Sequence, residues 1–135
     1  TKVYGYVTSR PFGDFIMPVP AQNSCLREYC KNIGAQFIIP QLEHKFENCY
    51  MQLWTTVSSM NEGDILAMYS AEIVNTSTKA LEIIKTITKK GIMTHFVLEN
   101  ISIKHIEDVN KFTFTNKIKS LTLKKSILIE RIKTE

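Results

Sequence analysis

The chain has 135 residues, 44% of them apolar and 22% charged, with a net charge of +4. That is long enough for one domain with a real core, and no apolar run approaches the roughly 20 residues that a membrane-spanning helix needs. The three cysteines, Cys25, Cys30 and Cys49, are odd in number and form no CxxC pair; with no signal-peptide pattern at the N-terminus, this points to a cytoplasmic chain with free thiols and no membrane insertion.

The first predicted element is a β-rich run at 3–8, which ends on Ser9-Arg10-Pro11. A helix follows, with Leu26, Tyr29, Cys30 and Ile33 at i, i+3, i+4 and i+7 and Gly34 as its stop. A second run at 35–39 leads to a helix striped by Tyr50, Leu53, Trp54 and Val57, closed by Glu62-Gly63-Asp64. The third run, 65–69, precedes a helix with Ala80, Leu81, Ile84 and Ile87 on one face, Lys89 and Lys90 at its dipole end and Gly91 beyond. The fourth run is 94–98. In the tail, Ile106, Val109 and Phe112 have helical spacing, whereas 112–115 and 126–129 read equally as strands.

The four runs are short, rich in β-branched and aromatic residues, and nearly continuous in apolar character, as strands covered on both faces are. The alternation predicts a three-layer α/β/α fold with a four-stranded parallel core sheet in the order 2-1-3-4, right-handed crossovers and a C-terminal extension. We assign 1–104 to the core and 105–135 to the extension. Residues 1–100 balance nine Lys/Arg against nine Asp/Glu, whereas 101–135 carry eight against four. A basic tail can bind nucleic acid, but a solvated lysine-bearing face is the simpler reading, and nucleic acid is not expected as a partner. The tail's apolar residues suggest a homo-oligomer interface.

In open α/β sheets, ligands bind beyond the carboxyl ends of the strands. The residues expected there are Ser9, Arg10, Gln22, Asn23, Asn48 and Ser70 for binding, and Cys49, Tyr69, His95 and Glu99 for acid–base or nucleophilic chemistry. Each also has a structural reading: Ser9 as a strand end, Arg10 as a surface ion pair, Cys49 as a buried inert thiol, His95 as a core histidine. Asn48 resembles an N-cap, and a helix starting there would lower the Cys49 pKa and favour an anion held with Arg10. The histidines are too scattered for a metal site, and no Gly-rich dinucleotide loop or P-loop appears, so neither a metal nor a cofactor is expected.

The order of elements resembles the catalytic domain of the serine recombinases of the resolvase–invertase family. Gly5-Tyr6-Val7-Thr8-Ser9-Arg10 is similar to that family's first strand, Glu62-Gly63-Asp64-Ile65-Leu66 to the start of its third, and the segment 91–101 to its fourth. The resemblance implies the same sheet. It does not extend to the chemistry: Thr8 stands at the position of the family's strand arginine, Arg10 at that of its nucleophilic serine, and Ser70-Ala71-Glu72-Ile73-Val74 replaces its arginine-bearing run. A second resemblance is to a family of small proteins from sporadic carbohydrate biosynthesis clusters. It is carried by the segments 5–11, 18–23, 27–30 and 48–51, by Tyr69-Ser70, and by His95 with Glu99. It implies an enzyme of surface or capsular sugar biosynthesis, of open reaction type, acting on a sugar or sugar phosphate. The alternatives are a non-catalytic partner of such an enzyme, or a resolvase-like DNA-binding protein lacking recombinase chemistry.

Overall fold

The computed structural model describes residues 1–9, 17–40, 42–43, 50–74 and 78–112. In chain order the elements are β1 (Lys2–Tyr6), α1 (Val19–Ile33), β2 (Gln36–Ile38), α2 (Met51–Ser58), β3 (Ile65–Met68), a 3-10 turn (Ala71–Ile73), α3 (Thr78–Lys89), β4 (Met93–Phe96) and β5 (Ile101–Ile103). Residues 106–112 form a further helical segment. The sheet order is β2-β1-β3-β4-β5. The four expected strands are parallel in the expected order; β5, which the sequence did not reveal, adds antiparallel to β4.

Both faces of the sheet are covered. Val3, Val7 and Ala67 pack against Leu26 and Cys30 of α1. On the opposite face Tyr6, Leu66, Met68 and Phe96 meet Leu53 and Val57 of α2, Ile84 and Ile87 of α3, and Val109 and Phe112. The Phe96 and Phe112 rings stack at 5.3 Å. Phe112 therefore lies in a helical segment, and the strand reading of 112–115 fails at that residue; the rest of that run, 126–129 and most of the proposed oligomer interface lie outside the described residues. Gly5 lets α1 approach β1, because a Cβ there would sit 3.0 Å from Phe37 Cε1 and 3.2 Å from Leu26 Cδ1.

Two apolar residues depart from their expected stripes. Trp54 is 56% exposed and Ile33 46% exposed; α2 buries only Leu53 and Val57, and α1 closes at Ile33, where the left-handed Gly34 turns the chain toward β2. Among the described residues no helix is long and apolar enough to cross a membrane.

Candidate functional site

Parallel strands bring their carboxyl ends to one edge of the sheet, and the site is built there. Past β1, Val7 makes an isolated parallel bridge to Leu42, so the strand pairing continues into the loop after β2. Thr8 is held by Gln22 of α1: the Thr8 N–H donates to Oε1 at 3.3 Å, and Nε2 donates to the Thr8 carbonyl at 2.8 Å. Nε2 also donates to the Met17 carbonyl at 2.8 Å. The fully buried Gln22 thus ties the end of β1 to the start of α1, and its amide is committed to backbone.

At the end of β3, Ser70 is buried, and its hydroxyl donates to Glu99 Oε1 at 2.8 Å. The Ala71 N–H donates to the same oxygen. Ser70 Oγ in turn accepts the Glu72 N–H at 3.2 Å, which caps the 3-10 turn. Glu99 lies in the tight turn joining β4 to β5, where the Asn100 N–H donates to the Val97 carbonyl at 3.3 Å and Asn100 adopts a φ of 54°. That left-handed conformation suits Asn better than most residues with a Cβ. Tyr69 is buried in the core on the α2/α3 side, and its carbonyl accepts the Leu98 N–H at 2.8 Å.

Among the described residues, four buried side-chain oxygens have no hydrogen-bond partner: Ser9 Oγ, Asn23 Oδ1, Glu99 Oε2 and Thr94 Oγ1. Three of them belong to residues assigned to the site from sequence. A buried unpaired polar atom costs about 1–3 kcal/mol, and native structures keep few of them, often for a function. Ser9, Asn23 and Glu99 are the strongest local mark of a site. All three oxygens can accept a hydrogen bond, so this edge favours donors over anions.

His95, expected at this edge with Glu99 for acid–base chemistry, has other partners. Its Nδ1 lies 2.7 Å from Ser102 Oγ on β5, and its ring stacks on Tyr29 of α1 at 4.4 Å with a 10° tilt. Glu99 is engaged by Ser70 and Ala71, so His95 and Glu99 do not form a pair. Burial lowers the His95 pKa below its usual 6.5 and raises those of Tyr29 and Cys30. Arg10, Asn48 and Cys49 lie outside the described residues.

The main residue of this edge with no role assigned from sequence is Glu43. It is buried, and its carboxylate accepts the Tyr6 hydroxyl at 2.8 Å, the Gln52 N–H at 3.1 Å and the Leu53 N–H at 3.2 Å. Helix α2 begins at Met51 with Tyr50 as its N-cap, not at Asn48. The seat expected to attract an external anion is therefore filled by a carboxylate of the chain itself. Among the described residues no group of His, Cys, Asp and Glu could hold a metal ion.

A family model described as Tht1-like nuclear fusion protein matches residues 29–132. The chain belongs to the Tht1-like family. The family match starts within α1 and leaves out β1. A search of curated proteins finds no match to this Tht1-like sequence. Among solved structures, the N-terminal catalytic domain of the TP901-1 integrase is similar with a TM-score of 0.62 at 17% identity, over 92% of this chain and 98% of that one. A resolvase family site-specific recombinase from Streptococcus pneumoniae is similar with a TM-score of 0.61 at 11% identity, over 98% and 97%. At such identities the likeness establishes the fold.

These findings correct the functional expectation. The resolvase-like sheet stands. The family match is Tht1-like and the similar structures are recombinase-type folds, which do not support a carbohydrate-cluster family, so the reading as an enzyme of surface-sugar biosynthesis gives way. With it go a sugar or sugar phosphate as the partner and the exclusion of nucleic acid. The physical reason agrees: among the described residues of this edge, carboxylates outnumber the cationic groups that a sugar phosphate would need.

Proposed function

We propose that the protein is a resolvase-like domain that binds DNA without cutting it. Among the described residues its charge is biased along the strand direction, positive at the amino edge and negative at the carboxyl edge, and this observation carries the reading. At the amino edge of the parallel strands lie the exposed Lys2 at the start of β1, Lys31 at the end of α1, Lys89 and Lys90 at the end of α3, and Lys104 just after the antiparallel β5. Glu62 and Asp64 ahead of β3, and Glu107 and Asp108 just after Lys104, share that edge and leave the five lysines ahead by one. Among the described residues, the carboxyl edge holds Glu43, Glu72 and Glu99 against Lys79 at the start of α3. A phosphate backbone is attracted to the first edge and repelled by the second.

The likeness to recombinase and integrase domains supports DNA as the partner. The end of β3 argues against strand cleavage. A phosphoryl-transfer site needs cationic groups aimed at the transferring phosphate, and here that position holds the Ser70–Glu99 hydrogen bond. Ser9, the serine at the end of β1, has a buried Oγ. The family's description, nuclear fusion, does not by itself name a ligand, so the reading takes its chemistry from the charge distribution.

The test is fluorescence anisotropy on a duplex oligonucleotide across a salt series. Binding should weaken as salt rises, and each lysine removed should reduce the log–log slope by about 0.9. Lys89→Ala with Lys90→Ala should therefore flatten it by roughly 2. Supercoiled plasmid should remain uncut. No binding at low salt, or a slope unchanged in the double variant, overturns the reading.

A further inference from the structure

The carboxyl edge does not account for one built arrangement, the pair His95 and Ser102. The two residues are directly opposite in the β4–β5 ladder, and Nδ1 and Oγ are 2.7 Å apart. The imidazole is buried and clamped against Tyr29, whereas Ser102 is exposed. An exposed serine with its hydroxyl on a fixed, buried imidazole has the geometry of an activated nucleophile and its base.

We propose that Ser102 and His95 form a nucleophile–base pair that takes activated esters with apolar acyl groups. With the ring proton on Nε2, Nδ1 accepts the Ser102 hydroxyl proton. Ser102 Oγ forms a bond to the acyl carbon, the bond to the leaving alcohol breaks, and the proton taken by His95 passes to that alcohol. Water then attacks the acyl-serine with His95 as base, releasing the carboxylic acid and returning the proton to Ser102. The lowered pKa of His95 keeps the imidazole a free base at neutral pH. The exposed Leu98, in the turn of the same β4–β5 hairpin, offers the acyl chain an apolar contact, whereas Ile101 alternates to the opposite sheet face with Phe96. This inference is independent of DNA binding.

A fluorophosphonate probe tests it on the intact chain: serine oxygen replaces fluoride at phosphorus, and peptide mass spectrometry locates the adduct. Ser102 should be labelled, p-nitrophenyl acetate should be hydrolysed, and Ser102→Ala should abolish both. His95→Gln should slow labelling roughly a hundredfold, as loss of a general base does. Ser24, Ser58 and Ser59 are also exposed and serve as internal references in the wild-type chain, so the result does not depend on a variant folding. Labelling of Ser102 no faster than of these serines, or undiminished in a folded His95→Gln variant, overturns the proposal.

Discussion

The Tyr6 hydroxyl and the Glu43 carboxylate, 37 residues apart in sequence, meet at 2.8 Å inside the protein. Because Glu43 also receives the first free N–H groups of α2, this contact joins β1, the loop after β2 and the start of α2. Tyr6→Phe should cost about 1.5–3 kcal/mol, the worth of a hydrogen bond to a charged group. Glu43→Ala should cost about 2–3 kcal/mol, because it removes the carboxylate that accepts the helix-start N–H groups and the Tyr6 hydroxyl. Urea denaturation measures both. Inorganic phosphate should raise the midpoint of Glu43→Ala and leave the wild type unchanged, since only the variant has an empty anion seat.

His95 gives the stability a pH dependence of definite sign. Burial lowers its pKa in the folded state from 6.5, so the unfolded chain takes up its proton first. Its contribution is fully present above about pH 6.5 and is lost as pH falls from there through the folded value. Unfolding midpoints between pH 8 and pH 5 should fall for the wild type. The wild-type minus His95→Asn difference should change only in that window; a difference that is flat with pH would show that the imidazole titrates normally.

Glu99 combines a well-held oxygen with an orphan one. Glutamine would keep the acceptor for Ser70 and Ala71 and remove the buried charge. Glu99→Gln should therefore be no less stable than the wild type, by thermal unfolding, and more stable by up to about 1 kcal/mol. Ser70→Ala should cost about 1–2 kcal/mol, because it removes a donor to the carboxylate and the cap of the 3-10 turn. Clear destabilisation by Glu99→Gln would mean that Oε2 has a donor in solution.

At Gly5 the limit is space. Phe37 and Leu26 already stand within 3.0–3.2 Å of where a Cβ would be. Gly5→Val should destabilise by roughly 1–3 kcal/mol through overpacking. A chemical denaturation midpoint equal to the wild type would show that α1 can move away from β1.

The parallel sheet was legible because apolar runs and helical stripes alternate, and right-handed crossovers then leave few strand orders. β5 was not, because three residues after a turn carry no periodicity; the Asn100 turn was its only signal. The start of α2 was misread because Asn48 looked like a cap, whereas the real cap is a carboxylate brought in from the loop after β2, which no local pattern announces. His95 appeared to share a site with Glu99 from strand alternation, but its partner lies across the ladder and depends on register. The motifs behind the sugar-cluster resemblance have local explanations. Gly5 makes room for α1, Tyr6 binds Glu43, Gln22 ties two backbone segments, and Ser70 and Glu99 bind each other. Such residues repeat wherever this sheet must be closed, so their spacing speaks more of architecture than of substrate.

β1 lies inside the sheet, yet it precedes both of its neighbours in the chain. Its pairing with β2 joins residues more than 30 positions apart, and its pairing with β3 more than 60. A ribosome would release this strand first and its second partner long afterwards, so an apolar segment must wait unpaired while most of the sheet is being made. Folding should accordingly be slow for so small a domain, and the waiting strand is where a holdase chaperone would bind or aggregation would begin.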